Sequence, residues 1–216
     1  MESRLKDLLT RLHWIGHDTF RIDAGPTIWF DPWKLKGPQG PADLILVSHD
    51  HFDHCAPDDV DKLRGPQTTI LASAAAAAKI RGARAMRPGD TVTARGVTVH
   101  AVPAYNTNKF RAPGQLFHPR EAGGVGWLLD LDGLRLYFAG DTDFIPEMKT
   151  LSCDVAMLPV SGTYVMTIQE ALEAAKAIGP RVVVPMHYGD IVGYENDGAM
   201  FAASWPGQTQ LYQPEN

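Results

Sequence analysis

Ser48-His49-Asp50-His51-Phe52-Asp53-His54 follows directly on the apolar run Leu44-Ile45-Leu46-Val47. From His49 to His54 it places three histidines and two aspartates in six residues. An uninterrupted apolar run of four reads as a buried strand, so the polar stretch begins where that strand leaves the sheet. On extended chain, residues two apart point the same way, and His49 and His51 can therefore reach one ion. Asp53 and His54 fall where the chain turns towards a helix and can face a second ion. Imidazole and carboxylate donors suit zinc, with manganese or iron as alternatives. A solvated histidine-rich loop is the bland alternative, and it gives no reason for this spacing after a buried strand.

Other segments are judged by whether they complete that centre. Asp141, in Gly140-Asp141-Thr142, follows a hairpin strand. His187 follows Val182-Val183-Val184 and Pro185-Met186. Their ordinary readings are a turn-capping aspartate and a core histidine bonded to backbone.

The pattern His49-x-His51-x-Asp53-His54 resembles the signature of the metallo-β-lactamase-fold hydrolases. Trp14-Ile15-Gly16-His17, Asp31-Pro32-Trp33, Pro103-Ala104-Tyr105-Asn106, Tyr137-Phe138-Ala139-Gly140-Asp141-Thr142 and Pro185-Met186-His187-Tyr188 resemble the same superfamily. Together they look like a branch of small metal-dependent hydrolases related to the ascorbate-lactone hydrolases and to the phospholipase D acting on N-acyl ethanolamine lipids. The resemblance implies a four-layer αββα sandwich, of α/β (α+β) class, over a single domain, residues 1–216. It implies two divalent ions. His49 and His51 would bind the first, Asp53, His54 and His187 the second, and Asp141 both. Asp53 would orient a metal-bound hydroxide, and Asp141 or a leaving-group water would handle the proton. The substrate would be a small ester, lactone or phosphodiester. A mononuclear iron oxidoreductase and a non-catalytic metal-binding protein are the competing readings. Oxygen-reducing relatives usually carry glutamate where His51 stands, which counts against an oxygen reducer and leaves the mononuclear iron enzyme open.

The chain departs from the family at the third ligand of the first ion. Relatives place a histidine where this sequence has Asn106. Either Asn106 binds through its amide oxygen, or His118, in Phe117-His118-Pro119, fills the position. His17, Asp31 and Tyr188 are expected beside the ligands or the substrate.

Composition narrows the function classes. The chain has 216 residues, 44% of them hydrophobic and 21% charged, as in ordinary globular proteins. A formal charge of −5 gives no basic footprint for nucleic acid. The two cysteines, Cys55 and Cys153, make no disulfide framework. No run is long enough to span a bilayer, and the N-terminal stretch lacks a secretory pattern. A cytoplasmic enzyme acting on a small molecule is the expectation. A homo-oligomer through a strand edge or the N-terminal helix stays open.

Along the chain, residues 3–12 read as an amphipathic helix on a sheet edge. Residues 12–30 read as two strands around Ala24-Gly25-Pro26. Helices are expected over 57–63, over 73–80 with Ser73 as cap, and over 167–178 with Thr167 and Glu170 as a capping box. Hairpins are expected around Arg95-Gly96 and Asp132-Gly133, and strands over 68–71, 155–159 and 182–184. Loops over 33–41, 105–122 and 188–204 are expected to shape the pocket. One internal similarity stands out. Residues 27–31 followed by 43–48 resemble 135–141 followed by 154–161, each a hairpin strand ending in aspartate and then an Asp-led apolar strand. Two such halves meeting at a shared site fit a sandwich.

Overall fold

The computed structural model describes residues 2–215. In its first half, helix α1 (Glu2–Thr10) leads into strands β1 (Leu12–Gly16), β2 (Thr19–Asp23), β3 (Thr27–Phe30) and β4 (Leu44–Val47). Helix α2 (Pro57–Lys62), β5 (Thr69–Ser73), the single turn α3 (Ala74–Ala77) and β6 (Arg84–Met86) follow. The second half runs β7 (Thr91–Ala94), β8 (Val97–Pro103), β9 (Phe110–Ala112), β10 (Gln115–Leu116), β11 (Val125–Leu131), β12 (Leu134–Phe138) and β13 (Val155–Pro159). It ends with α4 (Ile168–Ile178), β14 (Val182–Met186), α5 (Asp197–Ser204) and β15 (Gln208–Thr209). Six strands form one sheet in the order β1-β2-β3-β4-β5-β6, and seven form the other in the order β15-β14-β13-β12-β11-β8-β7.

Strand β4 shows how the layers arise. Its alternate side chains point to opposite faces. Leu44 and Leu46 join the core between the sheets, with Phe30, Trp127, Leu129 and Phe138. Ile45 and Val47 join a second cluster with Val60 of α2, Leu63 just after it and Ala76 of α3. Burial on both faces explains a strand without polar alternation. Phe30 and Phe138 stack across the two sheets with centroids 4.9 Å apart. Truncating either ring would destabilise the fold by about 3–5 kcal/mol. Helix α4 lays Ala171, Leu172, Ala174, Ala175 and Ile178 on the second sheet, completing the order helix, sheet, sheet, helix. Its Thr167–Glu170 capping box forms as expected.

The internal similarity holds at the level of single hydrogen bonds. Asp43 accepts from Thr27 N at 2.9 Å, and Asp154 accepts from Arg135 N at 2.9 Å. In return, Asp43 N donates to Thr27 O at 2.9 Å and Asp154 N to Arg135 O at 2.8 Å. Both Asp-led strands pair in parallel with the hairpin strand before them. The same device thus starts a parallel strand in each sheet and aims the following loop at the same end of the sandwich.

Several local expectations need correction. Residues 12–30 form three strands, because the chain reverses at His17-Asp18, with Gly16 paired to Thr19. Gly16 (φ 138°) and His17 (φ 52°) make that turn. It carries no Asn-Gly or Asp-Gly signal. The helix expected over 73–80 is only Ala74–Ala77, although Ser73 does accept from Ala76 N. The loops expected over 105–122 and 188–204 contain the hairpin β9–β10 and the helix α5.

Candidate metal centre

The apolar strand β4 delivers the histidine motif to the end of the first sheet, and the loop after β12 delivers Asp141 from the second. Gly140 lets the two approach. Its φ is +63°, and a Cβ there would lie 3.1 Å from Ser48 Cβ and 3.2 Å from Val125 O. Val125 N donates to Ser48 O at 3.0 Å, pinning the motif to β11.

Asp141 lies between two clusters. Its Oδ1 is 3.3 Å from His54 Nε2 and 3.3 Å from His187 Nε2. Its Oδ2 is 3.2 Å from His118 Nε2 and 3.9 Å from His49 Nε2. Two donors about 2.1 Å from one ion at a tetrahedral angle lie roughly 3.4 Å apart, so these spacings suit shared coordination. His49, His51, His118 and Asp141 form one group whose donor atoms all lie within 4.8 Å of one another, and His17, Asp53, His54 and His187 form another. His49 Nε2, His54 Nε2, His187 Nε2 and Asp141 Oδ1 are buried and have no hydrogen-bond partner among the described residues. Buried polar atoms are rarely left unpaired. Their convergence is what a cation site requires, so the residues fit the divalent ions that the motif implies.

The outer nitrogens of the same rings are all engaged. Asp31 takes His54 Nδ1 at 2.8 Å and accepts from Ser48 N at 2.7 Å. Ser161 Oγ lies 3.0 Å from His187 Nδ1, and Ser48 Oγ 3.0 Å from His49 Nδ1. Partners of this kind fix the tautomer and leave the inner nitrogen free to coordinate. Asp31 therefore sits behind His54. His17 sits beside Asp53, with Nε2 3.2 Å from Oδ2.

His118 and Asn106 take different places at the centre. His118 Nε2 faces Asp141 and lies 3.0 Å from His51 Nδ1. Asn106 stands behind it, its Oδ1 accepting from His118 N at 2.9 Å and lying 2.9 Å from His118 Nδ1. Asn106 Nδ2 donates to Tyr164 O at 2.8 Å and to Asp143 Oδ1 at 3.2 Å. Asp143 also accepts from Thr107 N and Asn108 N and meets Lys109. Asn106 thus braces both the ring and the backbone of His118. Asn106→Leu is expected to weaken binding at the first cluster by about 10–100-fold. Metal titration monitored by calorimetry would measure it, and an unchanged affinity would count against the support role.

Electrostatics differ between the clusters. Burial holds His118 down at about 4, against the pull of Asp141. Burial and the His54 ring hold His49 well below the ordinary range. Burial also lowers His54 and His187, but Asp141 and the neighbouring carboxylates outweigh it and hold both above that range. Burial would raise Asp141, but His187, His54 and His118 keep it well below the usual carboxylate range. Asp53 is likewise opposed by burial, yet the His17 hydrogen bond and the His54 charge bring it to about 2.

Residues 11–187 match the family described as the β-lactamase superfamily domain. The chain belongs to the metallo-β-lactamase superfamily. The resemblance carried by the histidine motif is borne out at the level of family and fold. A metal-dependent hydrolase from Methanoculleus marisnigri is 35% identical over 188 residues, covering 82% of this chain and 80% of that one. A crystal structure of a Parabacteroides distasonis protein, described as a candidate metal-dependent hydrolase, is 33% identical with a TM-score of 0.80, covering 93% of this chain and 91% of that one. A metallo hydrolase from Ignicoccus hospitalis shares the fold, with a TM-score of 0.76 at 24% identity and 95% of each chain covered.

Within this metallo-β-lactamase fold, two buried groups at the centre were not legible in the sequence. Asp143 braces the loop that carries His118. Asp18 is fully buried beside His54, and burial pushes its carboxyl up to about 7. The one signal for Asp18 was Gly16, a glycine inside what otherwise reads as a strand. Tyr188 packs against Trp14 in a tilted arrangement, ring centroids 5.0 Å apart, and lines a cavity of about 420 Å³ together with His17, Trp33 and Lys34. Its hydroxyl lies against Gly198 of α5. Among the described residues no helix is long and apolar enough to cross a membrane.

Proposed function

We propose that the protein is a metal-dependent hydrolase with a binuclear centre, acting on a small ester, lactone or phosphodiester. The observation that carries this reading is Asp141, whose two oxygens face two separate histidine clusters with unpartnered inner nitrogens. His49, His51, His118 and Asp141 would hold one ion, and Asp53, His54, His187 and Asp141 the other. Zinc is the first candidate, with manganese or iron as alternatives. The ions, when bound, supply Lewis acidity and bring the pKa of water near neutrality.

The chain's own groups do the rest. Asp53 is ionised at neutral pH and is oriented by neutral His17, held at about 4 by burial against the pull of Asp53. It can accept a hydrogen bond from an attacking water and align it. Asp141 keeps the clusters at a fixed separation, and a water at the leaving group can supply the proton it needs as it departs. The cavity of about 420 Å³ beside His17 would hold the rest of the substrate, between Trp33 and Tyr188. No serine or cysteine nucleophile is needed, and both cysteines are buried. Protein loaded with zinc or manganese should hydrolyse members of a panel of aryl esters, lactones and chromogenic phosphodiesters, lose that activity to a chelator and regain it with metal. A protein that binds two ions and turns over none of the three classes would contradict the reading.

The protonation states give a pH dependence. An imidazole must be neutral to bind metal. His49 and His118 are lowered, so they are already neutral at pH 7 and protons compete little for them as pH falls through neutrality. His54 and His187 are raised, so an ion there must displace protons, and its affinity falls as pH drops through neutrality. Stepwise acidification from pH 8 to 5 is therefore expected to release the ion of the His54–His187 cluster first. Metal retained per chain after dialysis at each pH measures this; release of both ions together would contradict it.

A further inference from the structure

Asp18 is a carboxylate at the centre that neither the proposed chemistry nor a hydrogen bond among the described residues uses. It sits in the two-residue turn between β1 and β2 and is fully buried. Neither of its oxygens has a hydrogen-bond partner among the described residues. Its Oδ2 lies 3.8 Å from His54 Nδ1, but that nitrogen is already taken by Asp31 at 2.8 Å. Burial disfavours the charge on Asp18 most; His187 and His54 offset part of that cost, and Asp141 and Asp31 add like charge. A buried carboxylate with no donor facing it is destabilising unless a cation compensates it. Asp18 also offers an oxygen within 4.8 Å of donor atoms of His54, Asp141 and His187.

We propose that Asp18 is a fifth donor to the ion held by Asp53, His54, Asp141 and His187. The inference rests on the binuclear reading. It makes the two positions chemically unlike. The first offers three imidazoles and one carboxylate, and the second two imidazoles and three carboxylates. Nitrogen-rich four-donor sets suit zinc, whereas oxygen-rich sets with more donors suit harder ions such as manganese. The second position should therefore prefer manganese while the first keeps zinc.

Metal-free protein exposed to equimolar zinc and manganese, followed by elemental analysis and manganese EPR, is the test, with Asp18→Asn and Asp18→Ser as variants. Wild type is expected to hold one zinc and one manganese per chain. Each variant should keep the zinc and bind manganese at least about tenfold more weakly. Melting of the metal-free proteins at pH 8 separates a ligand from a structural residue. Removal of an uncompensated buried charge should raise the variants' Tm above that of wild type. Variants that bind manganese as wild type does, or that melt lower when metal-free, overturn the role of Asp18 and leave the binuclear centre standing. A wild type that takes up no second ion overturns both.

Discussion

Asp141→Asn is expected to reduce bound metal from two ions to one or none and to lower hydrolysis about a thousandfold or more. Asparagine keeps the shape of the side chain but removes its charge and replaces one acceptor oxygen with a donor amide. At present Oδ1 lies 3.3 Å from both His54 and His187, and Oδ2 lies 3.2 Å from His118. An amide nitrogen on either side would point its protons at a cation. The side chain is 5% exposed, so water cannot take over the missing contacts. A thousandfold loss corresponds to about 4 kcal/mol of transition-state stabilisation, a reasonable share for a group serving both clusters. Elemental analysis and turnover on the same sample measure the effect. Two ions still bound at full occupancy would show that Asp141 does not link the clusters.

His118→Ala should separate the two positions. The variant loses one of three imidazoles from the group His49, His51, His118 and Asp141, while the backbone N–H at 118 can still donate to Asn106 Oδ1. The loop should therefore stay in place and only the ring be missing. One ion per chain is expected to remain, in the His54–His187 cluster, with hydrolysis reduced at least about a hundredfold. Calorimetric titration resolves the two binding events in wild type and should show only one in the variant. Retention of both ions with unchanged affinities would remove His118 from the centre.

What the sequence made legible follows from how local each signal is. The spacing within His49–His54 is set by one strand end, so its side chains could be placed from the strand alone. Asp141 and His187 each follow an apolar strand and were readable in the same way. The paired Asp43 and Asp154 devices were visible as an internal similarity, and the structure shows them making matching hydrogen bonds. His118 was different. It shares a long segment with Asn106, and which of the two faces the centre depends on how that segment folds back. Asn106 N donates to His118 O at 2.7 Å and fixes the pairing, a contact twelve residues apart that no short-range pattern encodes. Asp18 was hidden because a single strand was read through Gly16-His17-Asp18, where the chain reverses. Helix α5 was missed because its signal is tertiary. Gly198, a poor helix residue, is needed where Tyr188 lies against the backbone; a Cβ there would meet the hydroxyl at 2.3 Å.

The most direct test of the centre is the metal content of wild-type protein, purified without chelator and dialysed against equal amounts of zinc and manganese. Two tightly held ions per chain, both removed by chelation and restored on readdition, are the expected result. A chain that saturates at one ion, or holds none after dialysis, would contradict the two-cluster arrangement around Asp141.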